Sequence, residues 1–259
     1  MSVAEERPPV DLAKISLSYE GFRALALDDR LSDNEKIGFP PAYRVGFEEA
    51  IWADIRAKLP CLEQAEGCTV IDIGPGCADL PKTLISLCRD RGHMLLLVDS
   101  PEMLARLPDA PGVTRKVEGL FPHNADAVAA AAHGKADAIL CYSVLHYIHL
   151  DVGCEAFLDS TLNLLAAGGR ALVGDIPNLS KRRRFFASER GQAFHRAFTG
   201  TDTPYDVSQD APSPDKIDDA LLARLVARAQ AAGCDAYVLP QSPLLPMANR
   251  RDDLLIARP

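Results

Sequence analysis

The residues best suited to chemistry gather at one turn. Val70-Ile71-Asp72-Ile73-Gly74-Pro75-Gly76-Cys77-Ala78-Asp79 is a β-branched run that ends on two glycines one residue apart. Glycine supplies the sharp turn and lets backbone come close to a ligand at the start of a following helix. A tight strand-to-helix turn without a ligand is the bland alternative. Against it stands Asp99, an acid closing the next apolar run at the distance expected of a ligand-binding fold. A dinucleotide site would want Gly or Ala at position 79, where Asp79 would instead repel a pyrophosphate. A ligand presenting a cationic or neutral group fits better. A second cluster, Lys181-Arg182-Arg183-Arg184-Phe185-Phe186, concentrates positive charge in an acidic chain. On a solvated helix it would mean nothing. Placed after a sheet strand, Arg183 and Arg184 would clamp a phosphate or carboxylate, for which the planar guanidinium fork is suited. His195, Tyr205 and Arg44 are lesser candidates for contacting the same substrate.

These residues need a scaffold, and the pattern predicts one. From Thr69 onward, short apolar runs alternate with helical spacing. Strands are expected at 69–73, 94–98, 113–117, 138–141 and 170–173. Between them, Leu80 to Arg91 and the segment around Phe157, Leu158, Leu162 and Leu165 have helical periodicity, and the alanines at 129–132 read as a small-residue helix. Ser100 is a natural N-cap with Pro101 at the first helical position. Continuous apolar strands separated by helices imply a parallel sheet covered on both faces. The ending differs. A helix near 217–232 leads to strands at 236–239 and 254–257, too close together for a crossover, so these are expected to be antiparallel neighbours. Residues 1–65 form an expected helical cap, with Phe47, Ile51, Ile55 and Leu59 on one helix face after an irregular stretch at Gly38-Phe39-Pro40-Pro41. Residues 66–259 form the core, and about 176–215 insert into it as a lid. Both extra segments would flank the carboxyl ends of the strands, where open sheets bind ligands.

Composition narrows the function. The 259 residues are 47% hydrophobic, enough for a sizeable core, and imply either one large domain or a core with an appended cap. A formal charge of −8 disfavours a general nucleic-acid binder. No apolar run reaches membrane-span length, so no membrane partner is expected, and the first ten residues lack a signal-like apolar stretch. The seven cysteines are scattered and never form a CxxC pair. That argues against a disulfide framework or a zinc site, and for a reducing, cytoplasmic setting.

Asp72-Ile73-Gly74-Pro75-Gly76, followed by Leu97-Val98-Asp99-Ser100-Pro101-Glu102-Met103-Leu104, resembles the class I S-adenosylmethionine-dependent methyltransferases. The segments 137–148 and Leu164-Leu165-Ala166-Ala167-Gly168-Gly169-Arg170 are similar to two further motifs of that family. Ala78 departs from the pattern where many members have a third glycine. The resemblance implies a Rossmann-like, doubly wound α/β fold: a seven-stranded, mostly parallel sheet with an antiparallel C-terminal strand. It implies S-adenosyl-L-methionine as cofactor and no metal. Carried over by position, Gly74, Pro75 and Gly76 would lie against its methionine part, and Asp72 would orient the turn or the amino group. Asp99, with Ser100 beginning the next helix, would accept the ribose hydroxyls, and Met103 would pack on the adenine. Glu118, Gly119 and Leu120 would meet the adenine edge, and Cys141 and Tyr142 would line the cleft beside the methyl, largely through backbone groups.

His146 and Asp175 are the two candidates for taking a proton from the acceptor. Each has a plain structural alternative, a satisfied histidine and a turn aspartate before Pro177. Residues 31–40, Gly174-Asp175-Ile176-Pro177-Asn178 and 245–251 also resemble a bacterial methyltransferase-like group associated with surface-sugar biosynthesis. The implied acceptor is a small molecule, anionic or sugar-derived, and a homodimer is left open. The rivals are a non-catalytic binder of the cofactor or its demethylated product, an NAD-type oxidoreductase, and a nucleic-acid methyltransferase.

Overall fold

The computed structural model describes residues 18–38 and 44–259, so the expected irregular stretch at Phe39-Pro40-Pro41 lies outside the described residues. Four short helices come first: α1 (Tyr19–Leu27), α2 (Asp33–Lys36), α3 (Glu48–Lys58) and α4 (Cys61–Gln64). α2 is fixed by a capping box in which Ser32 and Glu35 satisfy each other's backbone amides. There follow β1 (Thr69–Ile73), α5 (Asp79–Asp90), β2 (Met94–Asp99), α6 (Pro101–Leu104), β3 (Thr114–Glu118), α7 (Ala125–Ala131) and β4 (Ala136–Tyr142). The chain continues through α8 (Leu145–Asp151), α9 (Cys154–Leu164), β5 (Leu165–Pro177), α10 (Leu179–Ala187), α11 (Glu189–Thr199), α12 (Asp219–Ala231), β6 (Asp235–Pro240) and β7 (Arg251–Ala257).

The strands form one sheet in the order β3-β2-β1-β4-β5-β7-β6. Pairs from β3 to β5 are parallel, and β7 runs antiparallel to both β5 and β6. The doubly wound architecture and its antiparallel ending therefore match the sequence reading. Period-two alternation sorts the apolar side chains onto two faces. Ile71, Ile73, Leu96 and Val98 join α7, α9 and α12 in one core, while Val70, Leu95 and Leu97 join α3, α4 and α5 in the other. The second core includes Ile51, Trp52, Ile55 and Leu59, so the cap's third helix is continuous with the sheet's packing.

β5 departs from expectation. It begins at Leu165, inside the expected helix, and runs past the expected end to Pro177. Its register against β4 shifts between Ala136 and Ala138, and Gly168-Gly169 lies within this irregular stretch of the strand. A Cβ on Gly169 would approach the Ala136 carbonyl oxygen to 3.0 Å. Gly169 therefore marks a close backbone approach rather than a strand start.

The order reverses between β1 and β4, which opens a crevice at their carboxyl ends. Beside it, Gly174 pairs with Tyr142 across β5 and β4. A Cβ on Gly174 would lie 2.4 Å from the Tyr142 ring. Gly174→Ala is expected to cost about 1–3 kcal/mol by overpacking, read as a lowered urea midpoint.

Candidate functional site

The crevice is built by the turn after β1. Gly74 and Gly76 have φ of +69° and +66°, and their missing side chains are used. A Cβ on Gly74 would meet Val144 at 2.8 Å, and one on Gly76 would meet Ile37 at 2.5 Å. The Gly76 amide donates to Asp99 Oδ2 at 3.1 Å, and the Ser100 amide donates to Asp99 Oδ1 at 2.7 Å. Asp99 thus binds the end of β2 to the turn after β1. Ser100 caps α6 by accepting from the Met103 amide at 3.2 Å, with Pro101 following as expected. The Gly119 amide donates to the Asp99 carbonyl at 3.0 Å, which brings the end of β3 to the same place.

The resulting cleft holds about 740 Å³ of space, part of it open to solvent. Its walls include Gly74, Pro75, Gly76, Asp99, Met103, Gly119 and Leu120 from the sequence-derived set. Tyr19, Phe22 and Ile37 close it from the N-terminal side, and Ser143, Val144, Tyr147, Ile148 and Asp151 close it from the start of α8. Phe22 meets Tyr147 edge-on, with ring centroids 4.7 Å apart, and the Tyr19 amide donates to Asp151 Oδ2 at 3.1 Å. Arg23 grips Glu102 of α6 at 2.7 Å. Burial raises the Asp99 carboxyl to about 6 despite the two amides that favour its anion. Burial, and then Asp99, push the Tyr19 phenol up.

Several expected contacts are displaced. Asp72 lies beneath the cleft rather than on its wall; burial, followed by the Asp99 charge, raises its carboxyl to about 8. Cys141 and Tyr142 are buried in the core, and the side chains lining the cleft are those of Ser143 and Val144. Strand parity and the chain's exit from β4 explain the offset. Glu118 points to solvent, and its carbonyl accepts from Asn124 at 3.0 Å. Tyr19 and Phe22 carry no motif, although the 143–151 face follows helical spacing.

The two base candidates are both held behind the wall. Asp175 has φ +58° and Ser143 φ +65°, strained values for residues with a side chain. Ser143 Oγ donates to Asp175 Oδ2 and accepts from Arg44 Nη2 at 2.7 Å. Arg251 donates to the same Asp175 oxygen at 2.6 Å, and Gln241 donates to Oδ1 at 3.2 Å. Asp253 accepts the Asp175 amide at 2.7 Å and pairs with Lys58 at 2.6 Å. This network commits both Asp175 oxygens, so the structure corrects its placement: it supports Ser143 and does not face the cleft. His146 is likewise absent from the lining. Burial, with Arg251 second, lowers its imidazole to about 3, far below a useful base.

The substrate candidates divide. His195 and Tyr205 meet in a separate cavity, with ring centroids 5.3 Å apart. Arg183 is exposed and Arg184 pairs with Asp219 at 2.5 Å, so neither lines that cavity. Arg182 does. Among the described residues, no cluster of His, Cys, Asp and Glu is arranged to hold a metal, and no helix is long and apolar enough to cross a membrane.

No family model and no curated protein matches the chain. Solved structures do. The chain is similar to one from the complex between the Haloferax volcanii Trm112 methyltransferase activator and a methyltransferase (TM-score 0.54, 15% identity, covering 94% of this chain and 100% of that one). It is also similar to an O-methyltransferase family protein from Burkholderia thailandensis (TM-score 0.53, 16% identity, covering 93% of this chain and 63% of that one). A third is the plantazolicin methyltransferase BpumL, in complex with a desmethyl analogue and SAH (TM-score 0.55, 13% identity, covering 93% and 97%). The chain has the class I methyltransferase fold.

The state of His146 is open to measurement. Its imidazole should remain neutral down to about pH 4 in an NMR titration, given a value of about 3. The unfolded chain takes up that proton below the ordinary 6.5 while the folded chain does not. Stability from this group is therefore lost as pH falls through about 6.5. His146→Phe should flatten that part of the stability profile.

Proposed function

We propose that the protein is an S-adenosylmethionine-dependent methyltransferase acting on an oxygen or nitrogen of a small acceptor. The observation that carries this reading is Asp99. It stands at the tip of β2 on the cleft wall, each carboxylate oxygen anchored by one amide and able to accept a further bond. A pair of ribose hydroxyls matches that acceptor. The residues present fit an adenosyl group: Gly76, kept side-chain-free by the close approach of Ile37, brings backbone to the cleft wall, and Met103 and Leu120 supply apolar walls. A dinucleotide fits less well. Asp79 opens α5 and stands where a pyrophosphate would seat, paired only loosely with Lys82 at 3.3 Å.

The bound cofactor would supply an activated methyl on a positively charged sulfur. The chain's own contribution is alignment and exclusion of water. Tyr19, Phe22 and Tyr147 cover the cleft, and Ser143, held by Arg44 and Asp175, fixes the wall where β4 ends. With His146 and Asp175 behind that wall, positioning carries more of the task than proton abstraction. The similar structures include an O-methyltransferase family protein and the plantazolicin methyltransferase, which agrees with transfer to a small acceptor. The scattered free thiols support a reducing, cytoplasmic setting.

Asp99→Ala should weaken binding of S-adenosylhomocysteine by about 2–3 kcal/mol, some 30- to 150-fold, in calorimetric titration. Unchanged affinity would remove Asp99 from the ribose role. In the wild type the ionised carboxylate is the better acceptor, so affinity should fall as pH drops through about 6. Asp99→Asn should abolish that dependence.

A further inference from the structure

The seven-stranded sheet ends in two edges of opposite character. β3, at one end, carries Arg115, Lys116 and Glu118 among its five residues. Charges of this kind keep a bare sheet edge from pairing with another chain. β6, at the other end, runs from Asp235 to Pro240 with no charge after its first residue. Its one strand neighbour is β7, so the N–H and C=O groups on its outer side have no strand partner. Tyr237 and Val238 pair in register with Leu255 and Leu254, which puts them on opposite faces of the sheet. Both are open to solvent, Tyr237 at 52% and Val238 at 39%. α12 packs against the same strand, and its Arg224 and Arg228 lean away onto Glu155 and Asp159 of α9. The side of α12 turned from α9 therefore shows Ala223, Val226 and Gln230, none of them charged.

We propose that β6 is the interface of a homodimer: a second copy of this chain lays its own β6 antiparallel against the first, and the two sheets become one. An identical strand turned about a two-fold axis normal to the sheet brings each copy's outer donors to the other's acceptors. With the axis near Tyr237 and Val238, side chains on each face meet others of the same apolar kind. The two Asp235 carboxylates stand at opposite ends of the strand pair, so no like charges face each other. The two α12 helices approach through their uncharged sides. Charge argues against other occupants. A basic partner would find a single carboxylate on this strand, and an acidic partner would find no cation. In a chain of net charge −8, a neutral edge lets two copies approach with little repulsion. β5 and β7 separate this edge from β4, where the cleft opens, so the pairing does not depend on what the cleft binds.

The test is sedimentation velocity of the full chain across a concentration series. Wild type should pass from monomer to dimer with a dissociation constant on the order of 10 μM, as suits a small interface. The dimer should hold or tighten as salt rises from about 0.05 to 0.5 M, whereas an ion-paired interface would loosen. Tyr237→Lys combined with Val238→Lys should raise the dissociation constant about tenfold or more. Leu27→Lys replaces a side chain that is 67% exposed on α1, which packs near the opposite end of the sheet, and should leave the constant unchanged. Circular dichroism and the urea midpoint check that each variant is folded. Hydrogen exchange of the wild type supplies a second readout: amides of β6 should slow with rising concentration while those of β3 do not. That measurement decides the matter if the double variant does not fold. The inference is overturned if wild type stays monomeric to about 200 μM, if the double variant dimerises like wild type, if Leu27→Lys weakens the dimer equally, or if exchange in β6 ignores concentration.

Discussion

Two backbone amides, from Gly76 and Ser100, converge on the single carboxylate of Asp99, and three strand ends are gathered by that arrangement. The turn after β1 and the start of α6 are tied through its side chain, and the chain after β3 through its carbonyl. Folding takes the group out of water, which favours its neutral form; the amides favour its charged form. With burial dominant, the carboxyl settles near 6, close enough to neutrality to be ionised at pH 7 yet sensitive to what enters the cleft. Hydroxyl donors from a ligand would tip this balance toward the anion. Ligand binding and the ionisation of Asp99 are therefore one equilibrium.

A comparable arrangement holds the opposite wall. Ser143 and Asp175 both adopt left-handed backbone values, and neither is a glycine. Such conformations cost on the order of 1 kcal/mol each and persist where surrounding contacts over-determine them. Here Arg44, Arg251, Gln241 and Asp253 supply those contacts. The network alternates charges from α3, β5 and β7 with the stretch just before α3, so the cap and the antiparallel edge both reach the cleft side of the sheet. Removing one member would leave its partners buried without compensation.

The sheet was legible because its signals are local and periodic. Apolar runs such as Met94–Asp99 and the Ser100-Pro101 cap specify β2 and α6 with little help from elsewhere. Gly74, Gly76, Asp99 and Met103 were legible too, since a turn, an acid and a helix start keep a fixed spacing. The rest of the cleft was not. Tyr19 and Phe22 reach it from a helix distant in sequence, and aromatic residues at helical spacing look the same whether they face a core or a ligand. Asp175 was misplaced for a related reason. A strand-end acid reads as cleft-facing until Arg251, 76 residues later, is seen to hold it from behind. The basic run at 181–184 showed charge but not direction; only the helix's rotation separates Arg182 from its neighbours.

The way α1 is attached bears on how a ligand would enter and leave the cleft. Besides Phe22 on Tyr147 and Tyr19 on Asp151, the helix is held by a small apolar cluster of Ala26, Cys77 and Met103, by Arg106 donating to the Ala26 carbonyl, and by the half-exposed Arg23–Glu102 pair. None of these contacts belongs to the two large cores, so α1 is attached to the sheet more lightly than the helices that pack on its faces. On the methyltransferase reading, release of the spent thioether would depend on how firmly α1 sits over the cleft, and would quicken with added salt as the Arg23–Glu102 pair is screened.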